Sequence, residues 1–478
     1  MKTSGILCFL LLSIGVFQVK SNPFSIFERL HHEPPLPEPK LDTKVVNTRW
    51  IEQKLDHFDD SNTVTFQMRY MENAEFYQEG GPIFIFVGGE YTIQEGWLLG
   101  GHMFDMAREL NGYIFYTEHR FYGETRPTPD LSFENLQYLT VDQALEDMAH
   151  FIRVKKQEIP GASSSGVILV GGSYPGTIAT WMRQRYPELV NGAWSSSGPL
   201  LAKTDFYEYI ETVGQSLRLV GGEACYNRIY GAFAEMERLV EVGDFETLSQ
   251  TLNLCNTLPN NQLDIWYFFN TLTNIMSWVV QDNWPGYIEG ACDIIMAGET
   301  DIDGYADFVS FYLLGSCINV NFDLFVQFYS ETSWTGGPEY MRQWLFQTCN
   351  EFGWYQTSGS DNQPFGSSFP VEFMLQWCHD IYDESFNPDA VHQNINVTNQ
   401  NNNGLNPIIT NVYSTHGQLD PWRPMGVQTD VNSFAPTVVI PMASHCADLY
   451  SISDDDSPEM LASKLRIASL VRQWLMIF

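Results

Sequence analysis

The sequence predicts an α/β fold in which a mostly parallel sheet is flanked by helices and interrupted by a large helical insertion. Short apolar runs alternate with helical periodicity in the first 200 residues and again after residue 392. This alternation is typical of parallel strands joined by right-handed helical crossovers. Between residues 201 and 392 the strand pattern is lost and aromatic residues are frequent. We interpret that block as a helical cap over the sheet.

Seven apolar runs are predicted to be strands. The run at residues 82–87 is continuously apolar and stops at two glycines, which is typical of a parallel strand covered on both faces. Residues 63–70 instead alternate between apolar and polar side chains. The predicted strands are residues 63–70, 82–87, 113–116, 167–170, 193–195, 408–413 and 438–442.

Two helices have clear start signals. Thr140 and Gln143 form a capping box, and the apolar residues after them recur at helical spacing. Near the C-terminus, Ser457 followed by proline predicts the start of a last helix. We expect Leu461 and Leu465 on the core face of that helix.

The N-terminal region is expected to precede the folded unit. Residues 1–21 have a basic start, an apolar core and a small-residue cleavage site, which together indicate a signal peptide. The alternative, a membrane anchor, is disfavoured because the apolar core is short. The predicted organisation is a signal peptide at 1–21, an N-terminal arm at 22–44, a first α/β part at 45–200, the cap at 201–392 and a second α/β part at 393–478.

The charge of the chain limits its partners and its location. There are 25 basic and 58 acidic residues, and removal of the signal peptide takes away only the basic Lys2 and Lys20. Such a surface repels nucleic acid and anionic membranes. With a signal peptide and no later apolar run long enough to span a bilayer, we expect a secreted or endosomal and lysosomal protein.

The cysteines indicate disulfides rather than metal. Six of them lie in the middle block, and in an oxidising compartment they can form up to three bridges whose pairing the sequence leaves open. Zinc is the alternative, but no C-x-x-C pair is present, so we expect no metal and no other cofactor. Cys446 stands apart as the odd thiol. The six clustered cysteines are Cys225, Cys255, Cys292, Cys317, Cys349 and Cys378.

A polar segment at residues 394–406 is interpreted as an exposed linker from the cap back to the sheet. It is rich in asparagine and contains a glycosylation sequon at Asn396. Surface exposure of such a loop would suit glycan attachment in a secreted protein.

The segment that organises the chain is the G-G-S-Y-P-G motif at residues 171–176. It follows an apolar strand and precedes a helix, which is the layout of a nucleophile elbow. Small residues beside Ser173 leave room for the sharp turn that exposes its hydroxyl. A serine hydroxyl is a weak nucleophile until a base takes its proton, so partners are required.

Two loops after the last two predicted strands carry suitable partners. Asp420 follows the strand near residue 413, and His445 follows the strand near residue 442. The chain order Ser173, Asp420, His445 is that of an α/β-hydrolase triad. His416 is an alternative base, but it would leave His445 without a role. The remaining histidines considered are interpreted as structural: His57, His119, His150 and His379.

An oxyanion hole is expected beside Ser173. The backbone N–H of Tyr174 is the natural first donor. A second N–H should come from the loop after the strand at residues 82–87, where we select Gly89.

Several motifs together resemble the prolyl carboxypeptidase and dipeptidyl peptidase II family of serine peptidases. They are G-G-S-Y-P-G at residues 171–176, E-H-R-F-Y-G at 118–123, D-P-W at 420–422 and S-H-C at 444–446. L-D-H-F at residues 55–58 and the stretch at 347–353 also resemble the thymus-specific branch of that family.

The resemblance implies an α/β-hydrolase with a large helical cap that acts as a lysosomal or secreted peptidase, often with a preference for proline beside the cut. By position, Ser173 is the nucleophile, Asp420 the orienting acid and His445 the base. Cys446 stands where some relatives carry a second histidine. The residues after the D-P-W motif lack the glycine run of proline-specific members.

The sequence therefore predicts a serine peptidase that removes residues from an end of a peptide. An esterase or lipase on the same fold and a catalytically silent binding protein are the alternatives. An exopeptidase must bind a charged terminus, and Glu351 is the candidate carboxylate for a substrate amine. A homodimer is left open.

Overall fold

The fold is organised around an eight-stranded sheet with the strand order β1-β2-β4-β3-β5-β6-β9-β10. This computed structural model describes residues 33–335, 337–338 and 340–476. The predicted signal peptide and the first part of the predicted arm lie outside the described residues. The strands are β1 (Val46–Lys54), β2 (Thr65–Asn73), β3 (Ile83–Val87), β4 (Tyr113–Thr117), β5 (Val167–Gly172), β6 (Gly192–Ser196), β7 (Lys203–Asp205), β8 (Gly353–Tyr355), β9 (Val412–Gly417) and β10 (Thr437–Ile440).

The sheet is parallel from β4 through β3, β5, β6 and β9 to β10. Only β2 runs antiparallel to its neighbours β1 and β4. All residues of β3 and β5 are buried, as the continuous apolar runs predict for strands covered on both faces. Strand β1 lies at the sheet edge and is mostly exposed, so its sequence carries little hydrophobic signal. The predicted α/β-hydrolase fold is confirmed.

Helices cover both faces of this sheet and form the block between β6 and β9. The helices are α1 (Gly101–Glu109), α2 (Phe133–Leu136), α3 (Val141–Glu158), α4 (Tyr174–Arg185), α5 (Tyr207–Ser216), α6 (Gly222–Glu241), α7 (Phe245–Thr251), α8 (Gln262–Gln281), α9 (Tyr287–Ala297), α10 (Asp301–Tyr312), α11 (Phe322–Tyr329), α12 (Met341–Gln347), α13 (Val371–Ile381), α14 (Pro388–Asn402) and α15 (Pro458–Trp474).

Helix α3 has the start that the sequence predicts. The Thr140 side chain accepts a hydrogen bond from the Gln143 N–H, and the predicted apolar stripe is buried. Helix α15 also starts as expected, with the Ser457 side chain accepting from the Met460 N–H.

The core face of α15 is not the predicted one. Leu461 and Leu465 are exposed, whereas Ile467 and Val471 are buried. Lys464 is buried on the same face because its ammonium group binds Asp456 at 2.7 Å. The buried face of α15 lies one position away from the predicted apolar stripe and includes this lysine, so a scan for apolar spacing selects the wrong face.

The last two strands are displaced from the predicted ranges for a backbone reason. Asn411 has φ 56°, so the run that begins near Ile408 cannot continue as one strand, and β9 starts after it. Ile408 itself is exposed. Met442 has φ 58°, and β10 accordingly ends at Ile440.

The predicted linker at residues 394–406 is wrong, because most of it belongs to helix α14. The Asn387 side chain caps the helix by accepting from the Ala390 N–H, and Asn403 with φ 66° ends it. Val391 and Ile395 are buried one turn apart, so tertiary packing outweighs the weak helix propensity of asparagine. The predicted domain boundary at residue 393 therefore divides a helix. Asn396 lies exposed on it, and its glycosylation stays a prediction.

The middle block contains mainly helices, with β7 and β8 forming a separate two-stranded sheet. All six of its cysteines are bonded in pairs among themselves, as expected, and their sulfurs are therefore not free to bind zinc. Cys446 is free and buried. The pairs are Cys225–Cys292, Cys255–Cys317 and Cys349–Cys378.

The described part of the N-terminal arm lies along the sheet domain. Glu33 accepts hydrogen bonds from the Tyr116 hydroxyl at 2.6 Å and from the Gln94 amide at 3.0 Å. Tyr450 donates its hydroxyl to the Pro35 carbonyl at 2.8 Å. Across the described ranges, no helix has the length and apolar character needed to cross a membrane.

We expect loss of the Cys225–Cys292 bridge to destabilise the protein. The bridge closes a loop of 67 residues, and removing such a crosslink typically costs about 2–5 kcal/mol because the unfolded chain gains freedom. The double variant Cys225→Ala, Cys292→Ala should show this loss in urea unfolding monitored by circular dichroism.

The control for this experiment is Ser310→Ala, an exposed position in α10 where we expect a change within about 0.5 kcal/mol. Peptide mapping without reduction checks the pairing directly. A disulfide that contained Cys446 would contradict it.

Candidate active site

Ser173 stands on a sharp turn between β5 and α4. Its backbone has φ 64° and ψ −136°, a conformation that non-glycine residues rarely adopt and that indicates strain held by the surroundings. Its N–H donates to the Ser196 carbonyl of the neighbouring strand at 2.8 Å. The side chain is partly exposed, whereas Gly172 and Tyr174 on either side are buried. This is the geometry of the predicted nucleophile elbow.

The glycines of the elbow are required by close packing. A Cβ atom on Gly171 would lie 2.3 Å from the Pro175 carbonyl carbon. A Cβ atom on Gly172 would lie 2.9 Å from the Cys446 sulfur. The second contact shows that the loop carrying His445 packs directly against the turn carrying Ser173.

Asp420 and His445 meet as expected. Asp420 follows β9, His445 follows β10, and Nδ1 of His445 lies 2.8 Å from Oδ1 of Asp420. The same Oδ1 accepts the Trp422 N–H at 2.9 Å. Asp420 is fully buried and the His445 side chain is 8% exposed. All three predicted side chains thus lie at the carboxyl ends of β5, β9 and β10, where open α/β sheets place their sites.

Two further hydrogen bonds fix the loop of His445. The Cys446 N–H donates to the Ser197 hydroxyl at 2.9 Å, and the Cys446 thiol lies 3.8 Å from the Ser196 carbonyl. Ser196 ends β6 and also accepts the Ser173 N–H, and Ser197 is the next residue. The position of His445 relative to Ser173 is therefore set by β6.

The electrostatics of the pair favour a charged dyad. Burial opposes charge on the His445 ring, but the neighbouring Asp420 carboxylate outweighs it and raises the pKa of His445 well above its usual value of 6.5. Burial likewise opposes ionisation of Asp420, yet the charge and hydrogen bond of His445 hold the pKa of Asp420 below its usual range. Each group stabilises the ionised form of the other.

Comparison with known proteins identifies the family. A model of the family described as serine carboxypeptidase S28 matches residues 53–467. The chain belongs to this family. The mouse thymus-specific serine protease is 31% identical over 445 residues, which cover 89% of this chain and 87% of that protein. The bovine lysosomal Pro-X carboxypeptidase is 28% identical over 462 residues, covering 90% and 88%.

Among solved structures, proline iminopeptidase from Mycobacterium smegmatis matches with a TM-score of 0.38 and 12% identity, over 90% of this chain and 99% of that chain. The family assignment rests on the sequence match alone. That match confirms the prediction of a serine peptidase, with a resemblance to the thymus-specific branch.

The two selected oxyanion donors lie on two segments that pack against each other. Tyr174 opens helix α4, where backbone N–H groups have no acceptor within the helix. Gly89 follows β3, and a Cβ atom there would lie 2.5 Å from Cγ of Pro175. The loop after β3 therefore packs on the first turn of α4.

Glu351 has contacts that favour a structural role. Its carboxylate oxygens accept the Val141 N–H at 2.9 and 3.1 Å, at the start of helix α3. Burial raises the pKa of Glu351 to about 8, so the carboxyl is mostly neutral below neutral pH. A neutral carboxyl attracts an amine weakly, and binding of a substrate terminus by Glu351 stays a prediction.

The motif residues at 118–123 join the segment after β4 to helices α3 and α4. Arg120 is fully buried and binds Asp147 through two hydrogen bonds of 2.6 and 2.8 Å. His57 lies 2.7 Å from the same carboxylate. Burial lowers the pKa of His119 to about 4, and its Nε2 lies 3.0 Å from the Tyr174 hydroxyl. The structural interpretation of His57 and His119 agrees with these contacts.

Sequence reasoning missed an aromatic cavity between the cap and the Asp420 loop. Trp422, two residues after Asp420, forms part of its wall, and the Trp422 ring centroid lies 6.5 Å from that of His445. The other lining residues come from segments that are far apart in the sequence. The only sequence signal for the cavity is the frequent occurrence of tryptophan in the cap. The cavity is lined by Asn270, Asn274, Trp344, Leu345, Thr348, Trp354, Tyr355, Gln356, Met374, Trp377 and Trp422.

Gln281, the last residue of α8, is another feature near the site that sequence reasoning missed. Its side-chain oxygen accepts the Trp422 indole N–H at 2.8 Å and the Tyr209 hydroxyl at 2.9 Å. Its backbone carbonyl accepts the His445 N–H at 3.2 Å. One cap residue thus contacts both loops that carry the Asp420–His445 pair.

We expect Gln281→Met to lower both stability and activity. Methionine fills a similar volume but cannot accept hydrogen bonds from Trp422 and Tyr209, which would leave two buried donors unpaired. The free energy of unfolding should fall by about 1–3 kcal/mol, and kcat/KM should fall on the order of tenfold as the Trp422 loop loosens.

Gln281→Glu keeps an acceptor oxygen and should retain the Trp422 contact. Gln250→Met, at an exposed position in the cap, serves as the control and should change stability by less than about 0.5 kcal/mol. Unchanged kcat/KM in Gln281→Met would show that this contact does not position the site.

Proposed function

We propose that this S28 peptidase cleaves residues from one end of peptides through an acyl-enzyme, with Ser173 as nucleophile, His445 as base and Asp420 as the orienting acid. The observation that carries the proposal is the buried Asp420–His445 hydrogen bond beside a strained, partly exposed serine. Nucleophile, base and orienting group in this arrangement match the general logic of serine catalysis.

In the proposed reaction, Nε2 of His445 takes the Ser173 proton as Oγ attacks the scissile carbonyl. The N–H groups of Tyr174 and Gly89 would stabilise the oxyanion that forms. His445 then gives the proton to the leaving amine, and the acyl-enzyme remains. A water molecule activated by His445 hydrolyses the ester and restores Ser173. Asp420 keeps Nδ1 protonated so that Nε2 is free to accept the proton.

The aromatic wall beside His445 is the proposed surface on which a substrate side chain next to the cut packs, because the volume of the cavity, about 30 Å³, is too small to enclose a proline ring. Its wall residue Trp422 is close to His445, and Trp354 packs edge-on against Trp422 at 5.7 Å between ring centroids. Flat apolar walls suit the rigid pyrrolidine ring of proline. The name of the bovine relative, lysosomal Pro-X carboxypeptidase, agrees with a preference for proline.

The helical cap supports the proposal of an exopeptidase. It supplies every residue that lines the aromatic cavity except Trp422. A site covered by such a cap admits a chain end more readily than the middle of a long polypeptide. Secretion or delivery to an endosomal or lysosomal compartment is proposed with it, and the three disulfides agree with an oxidising environment.

We expect Ser173→Ala to abolish turnover and labelling by a fluorophosphonate probe, because the probe reacts with the activated serine. Asp420→Asn should reduce kcat by about 10⁴-fold, since the imidazole then adopts the wrong tautomer.

His445 must be neutral to act as a base, so kcat/KM should rise with pH through its pKa. Because Asp420 raises that pKa, Asp420→Asn should move the acidic limb to lower pH.

Rates are measured on a chromogenic peptide across pH, and labelling is followed by mass spectrometry. Asp361→Asn, at an exposed cap carboxylate, is the matched control and should behave like the parent protein. Full activity in His445→Ala would contradict the assignment of the base.

We also expect blocking of one peptide terminus, and not of the other, to lower kcat/KM more than tenfold. An exopeptidase loses the interaction with the charged end when that end is acetylated or amidated. The substrates are short peptides with proline or alanine at the second position from either end, measured by liquid chromatography of the products.

Loss of turnover on acetylation would identify an aminopeptidase-type reaction, and loss on amidation a carboxypeptidase. We expect the proline peptides to be cut faster than the alanine peptides. Equal cleavage of free and doubly blocked peptides would contradict the exopeptidase proposal while leaving the serine mechanism intact.

A further inference from the structure

His416 is a buried histidine beside the proposed acid. It lies in β9, four residues before Asp420, and is 2% exposed. Both of its ring nitrogens are buried and lack a hydrogen-bond partner among the residues that the structure describes. The same holds for Oδ2 of Asp420. Two unpaired groups of complementary chemistry thus share one buried region.

The ring of His416 is held by close packing. A Cβ atom on Gly426 would lie 2.2 Å from Cε1 and 2.6 Å from Nε2 of His416. Gly426 therefore leaves space for an imidazole that a larger residue would remove. A buried polar group without a partner is costly, and an apolar side chain would fill this space at lower cost.

Asp420 needs a further donor. Its Oδ1 accepts hydrogen bonds from Nδ1 of His445 and from the Trp422 N–H. Its Oδ2 is buried and has no hydrogen-bond donor among the described residues. A buried carboxylate is normally stabilised by hydrogen bonds to both oxygens. His416 lies near the carboxyl end of β9 and Asp420 in the loop directly after it, and the charge of Asp420 raises the pKa of His416 against the larger effect of burial.

We infer that His416 is a positioning residue that donates one ring N–H to a water molecule, which in turn donates to Oδ2 of Asp420. This contact keeps the carboxylate oriented so that Oδ1 faces His445. The inference rests on the proposed catalytic roles of Ser173, Asp420 and His445. His416 acts through Asp420 and does not touch the substrate.

The charged neighbours of His416 agree with a neutral ring. Burial lowers the pKa of His416 to about 4, with Asp420 and Asp448 opposing this effect and Arg423 and His445 adding to it. A neutral imidazole can donate through this water to Asp420 without competing as a second cation for its charge. Asp420 then remains free to stabilise the positive charge that develops on His445.

The test compares His416→Asn and His416→Gln, which keep an N–H donor, with His416→Leu, which does not. We expect His416→Leu to lower kcat by about 10- to 100-fold with little change in KM, and to slow fluorophosphonate labelling by a similar factor. At least one of the two amide variants should recover most of the activity. His392→Leu, at an exposed position of α14, is the matched control.

A purely structural role would give a different result. Leucine would then fold at least as well as histidine and keep full kcat, which thermal unfolding and the rate together would show. In an Asp420→Asn background, His416→Leu should cost no more than about twofold in labelling rate, because the partner carboxylate is gone. An undiminished cost there would overturn the inference.

If His416→Leu does not fold, the variants His416→Asn and His416→Gln still test the inference. A loss of kcat in both of these variants, when they are folded, would overturn it. Ser173→Ala separates the two levels of the argument. Activity in Ser173→Ala means that the proposed function fails. An inactive Ser173→Ala together with a fully active His416→Leu means that only the role of His416 fails.

Discussion

The structure of the site depends on a carboxylate that is buried without any contact with solvent. Asp420 would be protonated or unstable in an apolar interior without donors and a cation nearby. The loops after β9 and β10 are therefore arranged so that His445 and the Trp422 N–H both reach it. The parallel pairing of β9 with β10 makes this possible, because adjacent parallel strands end at the same edge.

The cap covers the sheet and also contacts the loops that carry Asp420 and His445. Gln281 at the end of α8 contacts the backbone of His445 and the indole of Trp422. The same region supplies most of the walls of the aromatic cavity. A displacement of α8 would therefore change the aromatic cavity and the position of His445 together. Two of the three disulfides close loops of more than 60 residues around α8 and its neighbours, which restricts such displacement.

Residues that identify a family need not be the residues that perform its chemistry. Arg120 binds Asp147, and Glu118 pairs with Arg69. These buried charges are all paired, as the cost of burying a lone charge requires. Their motif is recognisable because each residue has a specific partner, and substitution of one partner would leave the other charge unpaired in the core.

The sequence alone determined the local structure around the candidate site residues. Strand, turn and helix around Ser173 could be predicted because a strained turn needs small residues, and the order of Ser173, Asp420 and His445 follows from strand ends. The predicted linker containing Asn396 was wrong, because burial of Val391 and Ile395 stabilises a helix that asparagine-rich composition does not favour.

Only the tertiary structure decided which further residues lie around Asp420 and His445. Gln281 has no local signal, since a glutamine at a helix end is ordinary in sequence, and the sequence indicates His416 only as an alternative base. Their relation to Asp420 and His445 arises from how the cap and the strands pack. Contacts between residues far apart in the chain depend on that packing, whereas turn geometry and helix capping depend on neighbours in sequence.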